Sequence, residues 1–353
     1  MALYVGLYWF WASLAGLVRK RGSSRVLAWV FLIFLLVFAG ARLGVGCDTR
    51  AYALRFSTMY QGMGWQDALH MGEGLFNWLN MSVINLGGSF STLVFVCTLI
   101  FLVCLYRFSL LAASPVSVMV LSFPVLVVQL AMSGLRQALA VAMLMLAFRS
   151  FVLLRRWQVV FWILVASQFH TSVLVFLPIA ALVGRQISLM RLIAAITVLG
   201  PLAMFFLGSR LEVYNDRYVD QIYGSQESSG AWLRYALVVF PFIVFEWKRR
   251  LVKARFPELF PLFRLFALIT FALVPLGLVS SVALHRFVFY MMPVSILVLL
   301  CIGAVALRKE QWRMGAALPF LVHGAYITVW FSMSSHSTVC YVPYSNWLLA
   351  GTL

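Results

Sequence analysis

The chain has 353 residues, of which 63% are hydrophobic and only 10% are charged, and its mean hydropathy is +0.97. Soluble globular proteins carry about 45–50% apolar and about 25% charged residues, so the composition excludes a soluble enzyme, a disordered tail and a nucleic-acid-binding module. The net charge is +17. Since short cytoplasmic loops of membrane proteins collect Lys and Arg, the sequence predicts an integral membrane protein with no nucleic acid among its partners.

Apolar runs that could cross the hydrocarbon layer, which takes about 20 residues in a helix, recur along the chain. The stretch 157–184 lies between arginines that both favour the cytoplasm, so we predict two short helices that turn near 167–172; a single tilted helix is the alternative. The expected fold is an all-α polytopic bundle of about 11–12 membrane segments with both termini outside, as one transmembrane domain over 1–353. The other predicted spans are 2–18, 26–42, 90–106, 115–131, 135–153, 189–207, 231–247, 259–281, 286–306 and 315–332.

This orientation places two long segments, 43–89 and 208–230, on the outer side of the membrane. Every basic residue expected outside is an arginine. Topology does not require arginine there, so we expect these side chains to serve another purpose. They are Arg42, Arg50, Arg55, Arg136, Arg210, Arg217, Arg234 and Arg286.

The five cysteines show no metal-ligand spacing. Three of them lie in apolar runs and are expected to be inert packing residues. Cys47 and Cys340 could form a disulfide if both face the oxidising side, although free thiols are the favoured interpretation. No metal and no other cofactor is predicted.

Two arginines lie where helices are predicted to begin at the outer face, Arg136 in SGLRQALA and Arg286 in SSVALHRFVFY. Ser133 is placed to cap the first of these helices. A helix N-terminus combined with a guanidinium suits a phosphate or diphosphate, because both contribute positive charge and N–H donors. The alternative is an arginine that extends its side chain to the interface.

Four further side chains are candidates for proton transfer or anion binding. His170 lies at the predicted turn and could donate to an anion or carry a proton, or be a structural histidine; His285 beside Arg286 is a weaker case. Asp48 could deprotonate a hydroxyl or pair with Arg50 or Arg136. Glu73, alone between two glycines, could be a second base or a polar residue at the interface.

The segment 208–230 is the most polar part of the chain. Tyr214 and Tyr218, with Arg217 between them, could form a sugar-binding loop because tyrosine rings stack on sugars. Acidic residues at Glu212, Asp216 and Asp220 would share one helix face, where a solvated mixed-charge surface is favoured over a metal site. The sequence lacks the motifs of nucleotide-driven pumps, zinc proteases and serine hydrolases.

The block from SGLRQALA to SQFHTSVLVFLP resembles the central signature of the EpsG/Wzy-type polysaccharide polymerases. Its matching positions are Arg136, Gln137, Phe169, His170 and Ser172. The similarity extends over most of the chain through four further segments, CDTRAYALRF, EGLFNWLN, HRFVFYMMP and YVPY. The resemblance implies a bundle like that of the C-type glycosyltransferases in the bacterial inner membrane, with its active site facing the periplasm.

The function that the resemblance implies is transfer of a growing glycan from undecaprenyl diphosphate to a hydroxyl of a lipid-linked repeat unit, as in O-antigen, lipopolysaccharide or exopolysaccharide synthesis. Donor and acceptor lipids would be the partners, with membrane lipid and a chain-length regulator protein. Arg136, Gln137, His285 and Arg286 would hold the diphosphate. His170 would contact the leaving phosphate or the acceptor hydroxyl, and Asp48 or Glu73 would take the proton.

Two other functions compete with this interpretation. A ligase that moves finished glycan to lipid A would use the same donor lipid, so the phosphate site does not separate the two enzymes. A transporter or flippase of lipid-linked sugars would be expected to show internal repeats and charged residues near mid-membrane. The sequence shows no repeats, and its ionisable residues cluster at the predicted outer boundary.

Overall fold

The computed structural model describes residues 1–18, 20–58, 63–70, 72–199, 201, 230–275, 281–305 and 312–350. Regular secondary structure in these ranges is helical, and an isolated bridge joins Arg42 to Asn346. The predicted sugar-binding residues Tyr214, Arg217 and Tyr218 lie outside the described residues, as do the three acidic residues of the same segment.

The helices are numbered here in chain order. Besides its α-helices, the described chain contains three helical segments of other geometry: Leu36–Gly40 and Phe123–Ala131 are wider π-type helices, and Thr171–Leu182 is a tighter 3-10 helix. The α-helices are α1 Ala2–Leu17, α2 Arg21–Leu35, α3 Thr49–Thr58, α4 Trp65–His70, α5 Gly74–Asn85, α6 Phe90–Ser109, α7 Pro115–Ser122, α8 Leu135–Val152, α9 Arg156–Ser167, α10 Leu189–Leu199, α11 Ala231–Arg255, α12 Phe260–Ala272, α13 Ser281–Val305, α14 Trp312–Met333, α15 Ser335–Tyr341 and α16 Trp347–Ala350.

Five helical stretches of the described chain are long and apolar enough to cross a membrane. Shorter apolar helices of 10–17 residues occupy most of the other predicted spans. The all-helical fold is therefore confirmed, and the long apolar helices indicate a multi-pass membrane protein. The five stretches are Arg21–Gly40, Phe90–Ser109, Leu135–Val152, Leu284–Val305 and Gly315–Met333.

The predicted turn within 157–184 is confirmed. Helix α9 ends at Ser167, and the 3-10 helix begins at Thr171. At the other end of the pair, the Arg156 guanidinium donates a hydrogen bond of 3.3 Å to the carbonyl of Val183. Since residues 156 and 183 meet, the two helices form a hairpin, and the alternative of one long helix is wrong.

The helices group into two compact units, of which the first comprises Met1–Leu146, Val165–His170 and Phe320–Leu353. Buried tyrosines of α1 connect its two chain ends: the Tyr4 hydroxyl donates to the carbonyl of Tyr341, and the Tyr8 hydroxyl donates to that of Phe320. The Tyr4 ring also stacks on Phe331 at 4.8 Å. Each ring fills apolar space while its hydroxyl is satisfied by a backbone carbonyl, as a buried tyrosine requires.

The second unit comprises Ala147–Leu164 and Thr171–Pro319. Within it α11 packs against α12 and α13. The Tyr235 hydroxyl of α11 donates to the carbonyl of Thr270 in α12 at 2.6 Å, and the rings of Phe148 and Phe266 meet edge to face at 4.8 Å. This unit contains the 3-10 helix of the hairpin, whereas the turn that carries His170 belongs to the first unit.

A disulfide joins Cys47 to Cys340, so the preference for free thiols was wrong. The sequence gives no local signal for this pair, because the two cysteines are separated by 293 positions. The same connection is reinforced by backbone hydrogen bonds, from Gly46 to the carbonyl of Cys340 and from Leu43 to that of Ser345. The C-terminal segment is thereby fixed against the residues that follow the first long span.

Arg42, one of the arginines predicted to lie outside, has a structural role. Its side chain is 3% exposed and donates hydrogen bonds to the carbonyls of Ala39, Val45 and Ala131. Ala39 and Ala131 lie at the ends of the two π-type segments, where carbonyl groups lack partners within the helix. One guanidinium therefore satisfies the ends of two helical segments.

Candidate functional site

Glu73 has an unusual backbone conformation in a tightly packed turn. It immediately precedes α5 and adopts a left-handed conformation with φ of 53°, which is uncommon for a residue other than glycine. Gly74 is tightly enclosed, since a Cβ atom there would lie 3.1 Å from the carbonyl oxygen of Leu69. The Glu73 carbonyl accepts hydrogen bonds from the N–H groups of Phe76 and Asn77 and so begins the helix.

The Glu73 carboxylate contacts two cationic or ionisable side chains from distant parts of the sequence. Its Oε2 atom accepts a hydrogen bond from the Arg136 guanidinium at 2.6 Å, and its Oε1 atom lies 3.0 Å from Nδ1 of His170. Arg136 is the second residue of α8, and His170 lies in the turn of the hairpin. Three of the predicted site residues therefore form one cluster, here called the Glu73 cluster.

The electrostatics of this cluster favour an ionised carboxylate. Burial by itself would raise the pKa of Glu73, because the side chain is only 9% exposed. The hydrogen bond from His170 and the positive charge of Arg136 outweigh burial and lower the pKa from 4.5 to about 2. At neutral pH Glu73 therefore accepts hydrogen bonds and has little tendency to take up a proton.

Arg136 keeps part of its guanidinium available. Nη1 is used by Glu73, and Nε donates to the Tyr52 hydroxyl at 3.4 Å, while the side chain remains one-third exposed. The guanidinium carbon lies 5.8 Å from the Tyr52 ring centroid, and that ring meets Phe76 edge to face. The remaining, exposed edge of the guanidinium provides N–H donors and positive charge of the kind that binds phosphate.

Asp48 is exposed and lies near the start of the same helix. Its backbone N–H donates to the Ser133 hydroxyl at 3.3 Å, and its Oδ2 atom stands 4.0 Å from the point where a Cβ on Gly134 would lie. Ser133 is not the residue next to the helix, because α8 begins at Leu135 and Gly134 precedes it. The Arg136 guanidinium donates to the carboxylate of Glu73, and a pairing of Asp48 with Arg136 or Arg50 stays a prediction.

The remaining predicted residues are placed as follows. Gln137 is half-buried next to Arg136 in the first turn of α8. His285 and Arg286 belong to the second unit, where the His285 ring packs edge to face on Phe289 at 4.9 Å. Because α13 begins at Ser281, Arg286 is its sixth residue and lies beyond the first helical turn, whereas a position at the helix start was predicted.

Sequence reasoning missed Tyr52, which contacts Arg136. Tyr52 lies in the segment CDTRAYALRF, four residues after Asp48, but an isolated tyrosine gives no signal for a contact across 84 positions. Within the second unit, the hydroxyls of Ser172 and Tyr290 share a hydrogen bond of 2.7 Å. Within the described residues, no group of three or more His, Cys, Asp or Glu side chains could hold a metal ion.

Comparison with known families supports the resemblance seen in the sequence. A sequence model of the EpsG family matches residues 25–346, which includes every member of the Glu73 cluster. The chain belongs to the EpsG family. For an EpsG-family protein, long apolar helices are consistent with a membrane protein of polysaccharide biosynthesis. No curated protein and no solved structure gives a significant match to this EpsG chain.

Proposed function

We propose that this EpsG-family protein is a Wzy-like polysaccharide polymerase. It transfers the growing glycan from undecaprenyl diphosphate to a hydroxyl of a lipid-linked repeat unit at the periplasmic face of the inner membrane. The observation that carries the proposal is the Glu73 cluster, in which Arg136 at the start of α8 and His170 in the hairpin turn meet one carboxylate. Family membership supports the reaction class.

The reaction needs a cation for its leaving group and a base for its nucleophile. The acceptor oxygen bonds to the anomeric carbon, the bond from that carbon to the diphosphate oxygen breaks, and undecaprenyl diphosphate leaves with the electron pair. The exposed edge of Arg136 pairs with the diphosphate, whose negative charge increases as the bond breaks. The hydroxyl proton moves to a basic side chain at the cluster.

Two independent features support the proposed side of the membrane. Disulfides persist in oxidising compartments outside the cytoplasm, and Cys47 is bonded to Cys340. Cys47 precedes Asp48, whose N–H bonds to Ser133, three residues before Arg136. The distribution of Lys and Arg along the chain favours the same orientation. Both features support an active site that faces the periplasm.

The proposal is tested with purified protein and lipid-linked repeat units, with the ladder of polymerised products as the readout. Arg136→Ala should abolish long chains, because the leaving diphosphate loses its cation. The matched control is Arg107→Ala, which removes an exposed arginine at the end of α6 and should leave the ladder unchanged. Full-length polymer from the Arg136→Ala protein would contradict the proposal.

Cells distinguish the competing functions. Loss of a polymerase leaves lipid A capped with a single repeat unit, whereas loss of a ligase leaves finished polymer on the lipid carrier. Loss of a transporter would leave single lipid-linked units on the cytoplasmic side. Deletion of the gene should give single-unit caps, and either of the other patterns would reject the polymerase.

A further inference from the structure

Both oxygens of the Glu73 carboxylate are already engaged by other side chains. Oε2 accepts from Arg136, and Oε1 accepts from Nδ1 of His170. A general base must have a lone pair directed at the proton that it removes. The Glu73 lone pairs that form these two hydrogen bonds are directed at Arg136 and His170. Orienting these two side chains therefore suits Glu73 better than acting as the general base.

We propose that Glu73 is a positioning residue that fixes Arg136 and His170, and that Nε2 of His170 takes the proton from the acceptor hydroxyl. This inference rests on the proposed transferase function and assigns the step that the function leaves open. Atoms balance because the hydroxyl proton moves to Nε2, while undecaprenyl diphosphate keeps the electrons of the broken bond.

Hydrogen-bond chemistry determines which nitrogen of His170 can act. An ionised carboxylate only accepts hydrogen bonds, so a hydrogen bond at Oε1 requires a proton on Nδ1. In the neutral ring Nε2 then carries the lone pair. No hydrogen bond joins Nε2 to any of the residues that the structure describes. The low pKa of Glu73 supports this tautomer, because the carboxylate stays ionised at neutral pH.

The backbone holds the carboxylate and the imidazole in register. The N–H of Phe76, in the first turn of α5, lies 3.4 Å from the carbonyl of Gln168 in the hairpin turn. The tightly enclosed Gly74 also approaches Gln168, since a Cβ there would lie 3.4 Å from its Oε1 atom. The segment that carries Glu73 is therefore packed directly on the turn that carries His170.

Kinetics with purified protein and lipid-linked repeat units give the first test. Glu73→Gln should lower kcat by about 10²–10³-fold, within the range of a general-base contribution, and leave KM within about threefold. The amide oxygen should turn toward the charged Arg136 and its NH₂ group toward His170, which favours the wrong tautomer. Glu73→Asp retains the charge and should recover about tenfold of the lost kcat.

The control for these variants is Glu258→Gln, which neutralises an exposed carboxylate between α11 and α12 and should retain wild-type kcat and KM. Rates are divided by the amount of folded protein, so poor folding of a variant does not count as a loss of kcat. A Glu73→Gln enzyme with wild-type kcat, or with a raised KM alone, overturns the positioning role.

Nitrogen-15 NMR of histidine-labelled protein tests the orientation of His170 without any substrate. The His170 signals are assigned by their loss in His170→Gln. Wild type should show a protonated Nδ1, and Glu73→Gln should shift the proton toward Nε2. An unprotonated Nδ1 in wild type, or identical spectra in the two proteins, overturns the inference. If the wild-type enzyme makes no polymer, the proposed function fails, yet these spectra still decide whether Glu73 orients His170.

Discussion

Among the glutamates that the structure describes, Glu73 and Glu246 each bind two cationic or ionisable partners, and the differences between them indicate function. Glu246 of α11 pairs with Arg264 of α12 and with Arg249 one turn further along its own helix. Glu73 pairs with Arg136 and His170, which come from the start of a helix and from a hairpin turn. The Glu73 side chain is 9% exposed and that of Glu246 is 23% exposed.

The Glu246 group has the form of a structural connection. Its partners lie on packed helices or at the i, i+3 spacing, so each contact joins elements that already touch. The Glu73 cluster instead joins the residue before α5, the first turn of α8 and the hairpin turn, and it includes an imidazole, a group that carries protons in many enzymes. Ionisable groups enclosed in a membrane protein are expensive to bury and are usually functional. The comparison therefore predicts that changes in the Glu73 cluster affect catalysis more than stability, and that changes in the Glu246 group affect stability more than catalysis.

The largest difference is expected when one partner is removed from each group. His170→Gln should lower kcat by about 10²–10⁴-fold, because the proposed base is lost, while the thermal midpoint changes little. Arg264→Gln should leave kcat within about twofold and cost about 1 kcal/mol or less of stability, as expected for a partly exposed ion pair. Product ladders and thermal unfolding in detergent measure both quantities.

The outcome that breaks this comparison is the reverse pattern. If His170→Gln unfolds at a lower temperature but retains its rate per folded molecule, the Glu73 cluster is a structural connection like the Glu246 group. If Arg264→Gln loses its rate while remaining stable, the second unit contributes directly to the chemistry.

A smaller effect should appear in the acid dependence of stability. The pKa of Glu73 is about 2 in the folded protein and 4.5 for an ordinary glutamate, with Arg136 and His170 as the groups that face it. A lowered pKa contributes stability that is complete above pH 4.5 and is lost as the pH falls toward 2. The difference in thermal midpoint between wild type and Glu73→Gln should therefore shrink between pH 5 and pH 2.

The same titration of Glu258→Gln provides the control, since that carboxylate is exposed. A difference between wild type and Glu73→Gln that stays constant down to pH 2, or grows in acid, would contradict an ion pair at Glu73. It would also remove the electrostatic reason for excluding Glu73 as the base.

Sequence alone predicted the parts of this molecule that depend on local pattern. Hydropathy predicted the helical membrane fold. Arg155 and Arg185, which flank the stretch 157–184, both favour the cytoplasm, and this predicted the hairpin that places His170 in a turn. The contact between Glu73 and Arg136 spans 63 positions, and the Cys47–Cys340 bond spans 293. Such pairs depend on how helices assemble, which helix periodicity does not encode.

The choice among acidic residues shows the same limit. Asp48 and Glu73 were equivalent candidates for the base, because each is a lone acid in a segment of mixed polarity. Only the folded chain shows that Glu73 has two partners and a low pKa. Burial and partners set the properties of a carboxyl group, so residue type and spacing could name the candidates but not their roles.

The smallest expected effect tests how much support Arg136 needs beyond Glu73. Tyr52→Phe removes a hydroxyl that accepts from Nε of Arg136 at the long distance of 3.4 Å, and it keeps the ring that lies 5.8 Å from the guanidinium. A net hydrogen bond contributes about 0.5–1.5 kcal/mol, so kcat/KM should fall only about two- to tenfold, mainly through KM for the donor lipid. A loss as large as that of Glu73→Gln would show that the Tyr52 hydroxyl itself contacts the substrate, and the positioning of Arg136 could then no longer be assigned to Glu73 alone.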